Sequence, residues 1–179
     1  MKHYFFIIIL SFFSFYAYSQ PFPIPDDNEV SFDVIRKKKV IGNLTTKFVK
    51  DDDKLILHSV LDIDVKILLF PAYKFFQETK ETWIDGNFVS IEGFTDFEDD
   101  REYIITGNDS DGFFLANGMD GSLEIDEDII PLNYWNIKML NEKEVFDTQK
   151  GIVRKIKVKK LKNEKIEIND KKIETDKYL

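Results

Sequence analysis

Leu55-Ile56-Leu57-His58-Ser59-Val60-Leu61-Asp62-Ile63-Asp64-Val65-Lys66 is the stretch whose reading decides the fold. Leu55, Leu57, Ser59, Leu61, Ile63 and Val65 share one side of an extended chain, while His58, Asp62, Asp64 and Lys66 fall on the other. Successive side chains of a strand point to opposite faces, so this alternation describes a strand with one buried and one solvated face. A helix would instead repeat its apolar residues three and four apart. No 12-residue stretch of this chain does so cleanly.

Weaker alternation continues outward on both sides, through Val30-Phe32-Val34 and through Ile152-Ile156-Val158 with Arg154 interrupting. Ile166 and Ile168 form a last short pair. Turn residues separate these runs at short intervals. Asp51-Asp52-Asp53 divides two strand-like segments, and Asp85-Gly86 sits between Glu81–Ile84 and Phe88–Ile91. That dipeptide is a strong two-residue hairpin signal, because Gly accepts positive φ without steric cost. Asn117-Gly118 and Asp120-Gly121 read as further turns. The segments 162–165 and 169–172 read as late hairpin tips. The best helical candidate is short, Leu132 to Asn141, started by Pro131. The expected fold is therefore all-β: a curved antiparallel meander sheet or half-open β-barrel with one short helix.

The chain has 179 residues, no Cys and two His, with 25 basic against 33 acidic side chains. The absence of Cys excludes a disulfide framework, a thiolate metal site and a Cys nucleophile. A formal charge of -8 argues against nucleic acid, which requires a basic face. Lys2 and His3 precede an apolar run from Tyr4 to Phe13, and Ala17-Tyr18-Ser19 supplies small residues before Gln20. This is the pattern of a secretory signal peptide over residues 1–19. The apolar run is shorter than the roughly 20 residues needed to span a bilayer, so no transmembrane span is expected after cleavage. The expected mature chain has 160 residues, with 24 basic and 33 acidic groups. Its location is then periplasmic or extracellular. Residues 20–28 hold Pro21, Pro23 and Pro25 and are expected to form an extended, unpaired leader to a single β domain over 29–179. Charge is unevenly placed. Residues 150–179 carry 11 basic and five acidic groups, which fits Lys-rich strand edges that block edge-to-edge pairing.

Three segments, in this order, resemble an uncharacterised family of exported bacterial proteins, domain of unknown function number 6134. Phe32-Asp33-Val34 with Val40-Ile41-Gly42 is similar to the family's opening hairpin. Glu81-Thr82-Trp83-Ile84-Asp85-Gly86, continuing through Phe88 to Thr95, is similar to its Glu-x-Trp-x-x-Gly hairpin. Tyr134-Trp135-Asn136, Met139-Leu140 and Asp147-Thr148-Gln149-Lys150-Gly151 are similar to its Trp-containing turn and its Asp-Thr-x-x-Gly turn. The resemblance runs from about Phe32 to the C-terminus. It departs where the family continues beyond a Tyr like Tyr178 into a closing Trp-Tyr-Asp strand; with Leu179 as the last residue, the resemblance implies either a C-terminally truncated fragment or a shorter member with an incomplete last hairpin. By analogy of fold, the shape implied is a half-open sheet like that of periplasmic lipoprotein carriers, and function does not follow from shape.

Little in the sequence supports catalysis. His58 is the single histidine of the expected mature chain, on the polar face of the best strand, and no Gly-x-Ser-x-Gly elbow accompanies it. One His and no Cys do not make a zinc or copper site. The loops around Gly112 and Gly121 each lack ligands that an EF-hand requires and read as turns. No cofactor or metal is expected. Glu81 and Trp83, two apart on one strand, point to the same face, so an acid lies beside an aromatic. Trp135, beside Tyr134 and ahead of Ile137 and Leu140, is placed to anchor its segment over the open sheet. Glu81, Trp83, Tyr134 and Trp135 are the candidate lining of a ligand cavity, and only one of Phe75 and Phe76 can join them. The function expected is non-catalytic binding, in a concave sheet, of a hydrophobic or lipid-like ligand or of an envelope protein. A structural or assembly partner in the envelope is the alternative, and a carboxylate-based hydrolase the third reading. A carrier needs an apolar cavity of roughly 300 Å³ or more. A hydrolase needs two carboxylates roughly 5–10 Å apart in a cleft.

Export can be checked directly. Protein recovered from outside the cytoplasm is expected to begin at Gln20 on N-terminal sequencing, and a chain retaining Met1 would contradict the signal-peptide assignment.

Overall fold

The structure, a computed structural model, describes residues 24–67, 70–97, 101–168 and 170–179. The expected signal peptide and residues 20–23 of the leader lie outside these. Eight strands follow one another in a single antiparallel meander: β1 (Glu29–Arg36), β2 (Lys39–Asp51), β3 (Lys54–Ile67), β4 (Phe70–Ile84), β5 (Asn87–Asp96), β6 (Glu102–Ser110), β7 (Phe113–Gly118) and β8 (Gly121–Asp126). The sheet does not close; β1 and β8 form its two edges. Two short hairpins follow, β9 (Glu144–Asp147) with β10 (Ile152–Lys155) and β11 (Glu164–Ile168) with β12 (Lys171–Thr175). The fold class read from the alternation is thus the observed one.

The turns form where the sequence puts left-handed-tolerant residues. Asp85-Gly86 and Asp111-Gly112 have positive φ at both positions, 49° and 82°, then 51° and 86°. This is the turn whose twist matches a right-handed hairpin. Asn117-Gly118 and Asp120-Gly121 flank one turn rather than making two: Gly118 ends β7 and Gly121 begins β8. The late tips differ as well. Glu164-Lys165 open β11 and are not a tip, whereas Asp170 lies at the β11–β12 turn; Asn169 lies outside the described residues. The expected helix over 132–141 contracts to a 3₁₀ turn, Ile137–Asn141. Asn133 and Asn136 explain why: the Asn133 side chain accepts from the Asn136 N–H at 3.0 Å, and that of Asn136 accepts from the Lys138 N–H at 3.0 Å. Short amide side chains thus compete with helix formation along the segment. The visible end of the leader is not unpaired either. Ile24 packs on the core, and the Asn28 N–H donates to the Pro25 carbonyl at 2.9 Å.

The register lines up inner-face residues in rows across the strands. One row is Leu55, Trp83 and Phe88, and the next is Phe48, Leu57, Glu81 and Ile91, followed by Gly107 and Ala116. Beyond these come Val30, Thr46, Ser59, Thr79, Gly93 and Ile105, then Phe32, Leu44, Leu61, Gln77, Thr95 and Tyr103. The next row is Val34, Gly42, Ile63 and Phe75, and beyond it Val65 pairs with Tyr73. A bulge at Val89 in β5 lets both Phe88 and Ile91 face inward although they are three apart.

A cap covers part of this inner face. Residues 130–132 pair with β9 through Phe146 N–H to Ile130 O at 2.9 Å and Leu132 N–H to Phe146 O at 2.8 Å. Val145 and Phe146, on the cap's own strand β9, are fully buried. Phe146 meets Phe88 and Phe114, while Trp135 packs edge-on against Trp83 and Phe48. The β9–β10 turn docks on the β7–β8 hairpin, with the Met119 N–H donating to Lys150 O at 2.7 Å. No side chain fits at that contact. A Cβ on Gly118 would lie 2.5 Å from Gly151 Cα and from Lys150 O.

Gly118→Ala is accordingly expected to push the cap off the sheet and destabilise the fold by about 1–3 kcal/mol. Urea unfolding measures this, and an unchanged midpoint would show that the cap is not seated there.

Candidate functional site

Strands β2, β3 and β4 have 13, 14 and 15 residues, whereas β5 has 10. β5 begins to pair with β4 only at Phe76, so the first residues of β4 reach past it. Strands β1–β4 therefore overhang the shorter strands and the cap. The overhang leaves a groove of about 600 Å³ on the inner face, lined by Phe32, Val34, Leu44, Leu61, Ile63 and Phe75, with Tyr73, Phe97 and Tyr134 at its sides. Phe75 faces in, as only one of the Phe75–Phe76 pair can, and its ring meets Phe97 at 5.1 Å.

Phe32, Leu44, Leu61, Tyr134 and Gln149 also line a second, smaller cavity of about 60 Å³ that runs under the cap. Beside these and Leu132, polar side chains face it from both sides. Thr46, Ser59, Gln77, Thr79 and Glu81 come from the sheet, and Asn133, Trp135, Asp147 and Thr148 from the cap. Thr46 Oγ1 and Ser59 Oγ lie 2.8 Å apart, and Gln77 Nε2 donates to the Thr148 carbonyl at 2.9 Å. The inner face thus changes character along the strands, from a packed aromatic core through a buried polar band to an open apolar groove.

Glu81 stands at the first of these boundaries. It is 2% exposed, between Leu57 and Ile91 in its row. Burial of its carboxyl disfavours the charged form and pushes its pKa up to about 7; the hydrogen bond from the Trp83 indole and the nearby Asn133 amide offset part of that. The Trp83 indole Nε1 donates to Glu81 Oε2 at 3.0 Å. Trp83 itself belongs to the core, against Phe88 and Trp135, and lines neither cavity. Of the four residues singled out in the sequence, Glu81, Trp135 and Tyr134 border the inner cavity, and Trp83 serves it by holding Glu81. Tyr134, 76% exposed, stands at the junction of the two cavities.

Sequence reasoning missed the polar band and Asp147. Thr46, Ser59, Gln77 and Thr79 come from three strands, and only register brings them together. Asp147 had a signal, the Asp-Thr-x-x-Gly turn. Its Oδ1 accepts from the Gln149 and Lys150 N–H groups at 2.8 and 3.3 Å, and its Oδ2 accepts from the Arg154 guanidinium. Both oxygens are occupied, so Asp147 closes the turn. His58 lies on the outer face with Nε2 2.5 Å from Glu78 Oε1, away from both cavities. Among the described residues no helix is long and apolar enough to cross a membrane.

An open meander sheet with a capped polar pocket and an apolar groove defines the class. The sequence model of the family described as a domain of unknown function (DUF6134) matches residues 32–179, and the chain belongs to that family. No curated protein and no solved structure matches it.

Glu81 makes stability depend on pH. Its carboxyl titrates at about 4.5 when unfolded and about 7 when folded, so the folded chain holds the proton more tightly between these values. The stabilising contribution is complete below about pH 4.5 and is lost as pH rises through 7, on the order of 3 kcal/mol in all. Urea midpoints are expected to fall between pH 5 and 8 in the wild type and to fall less in Glu81→Gln. Parallel profiles would contradict the assignment.

Proposed function

We propose that this is an exported, non-catalytic domain that holds a hydrophobic or lipid-like ligand in the open part of its inner face. The observation that carries the reading is the groove itself. At about 600 Å³ it lies within the range of roughly 300–1,000 Å³ typical of ligand pockets, and its own Phe and Leu side chains line it without filling it. Leaving Phe32, Leu44, Leu61 and Ile63 incompletely buried around an open space forgoes burial worth on the order of 25 cal/mol per Å², which a bound chain would restore. Absence of catalysis is supported by the state of the carboxylates. Asp147 is committed to Arg154 and two backbone N–H groups, so Glu81 has no second free carboxylate among the residues that line its cavity. The alternative, an assembly partner in the envelope, draws on the two sheet edges, β1 and β8.

A neutral fluorescent probe tests the proposal. N-phenyl-1-naphthylamine is expected to brighten on binding and to be displaced by 1-decanol. Leu61→Trp, which fills the groove, is expected to reduce probe affinity at least tenfold without lowering the unfolding midpoint. Equal probe binding by that variant would place the ligand elsewhere and overturn the reading.

A further inference from the structure

We propose that the ligand is a single-chain amphiphile that enters polar end first, and that its inner group is a hydrogen-bond donor without negative charge, a hydroxyl or an ammonium. The inference rests on the preceding reading of the groove and adds the orientation and the head-group class.

Geometry sets the orientation. The apolar groove opens at the overhang, and the polar cavity lies at its inner end under the cap. A chain inserted tail first would set methylenes against Thr46, Ser59, Thr79, Gln77 and Glu81, whose remaining hydrogen-bonding positions a hydrocarbon cannot meet. A chain inserted head first meets polar groups with its polar end and Leu61, Ile63 and Phe75 with its tail. The inner cavity of about 60 Å³ admits a hydroxyl or amine with a few waters and is too small for an acyl chain.

The charge class follows from what lines that inner end. It includes two acids, Glu81 and Asp147, together with hydroxyls and amides, and no Lys or Arg is among its lining residues. Asp147 is balanced by Arg154, so Glu81 is the acid left to face a ligand. A carboxylate or phosphate brought there would lose its hydration against another carboxylate and find no cation among those walls. An ammonium would pair with Glu81, and a hydroxyl would donate to it. Cations do lie at the outer rim, where Arg101 and Lys150 stand 5.1 and 5.7 Å from the Phe97 ring centre. An anionic amphiphile could use them only in the opposite orientation, which leaves the polar band against its tail.

Three ten-carbon probes that differ only in the head separate these possibilities. Decylamine, 1-decanol and decanoate are titrated at pH 8, below micelle formation, into wild type, Glu81→Gln and Leu61→Trp, with binding read by calorimetry. Binding that persists in Leu61→Trp is subtracted as surface adsorption. Decylamine is expected to bind tightest and decanoate weakest, and Glu81→Gln is expected to weaken decylamine at least tenfold while narrowing the gap to decanoate. Decanoate binding as tightly as decylamine, lost in Leu61→Trp and unchanged in Glu81→Gln, would overturn the head-inward proposal and leave the carrier reading standing. No binding of any probe that Leu61→Trp removes would overturn both.

Discussion

The structure depends on one constraint: an eight-stranded open sheet has a whole inner face to bury, and the described residues cap only part of it. Residues 129–155 cover the aromatic rows around Trp83, Phe88 and Phe114. They stop above the polar band, and β1–β4 run on past them. The sheet therefore carries two environments on one surface, a dry core and an accessible groove. Glu81 marks their boundary. Its carboxyl is buried, its proton is retained to about pH 7, and its partner Trp83 is locked in the core. The site is built on rigid strands, with the core holding its most polar member in place.

The cap is seated by close backbone contact as well as by packing. Gly118 and Gly151 let two turns touch without side chains between them, and Asp147 holds the second turn shut through two N–H groups and Arg154. Trp135 then reaches the core from above, in edge contact with Trp83 and Phe48. Loosening this joint would expose the polar band and the aromatic rows together. That links cap stability to ligand access through one element of the fold.

Much of the fold was legible because strands write their faces in a period of two. Leu55–Lys66 announced a half-buried strand, and Asp85-Gly86 announced its hairpin. The pairing of Glu81 with Trp83 was legible for the same reason, since residues two apart share a face. What could not be read depended on register or on irregular backbone. The bulge at Val89 shifts β5 so that Phe88 and Ile91 both turn inward. The band of Thr46, Ser59 and Thr79 is a row across three strands and has no signature in any one of them. The segment from Pro131 to Asn141 looked helical by its apolar spacing, yet Asn133 and Asn136 bond the backbone locally and leave one 3₁₀ turn.

The most direct test of the central claim, that the uncovered inner face is a ligand site with a polar inner end, is to locate a bound ligand within it. Nuclear Overhauser contacts from 1-decanol to methyl-labelled protein should reach Leu44, Leu61 and Ile63, with the carbinol protons nearest Thr46 and Thr79. Contacts confined to outer-face methyls such as Ile104 and Leu115, which are exposed on the other side of the sheet, would contradict the account.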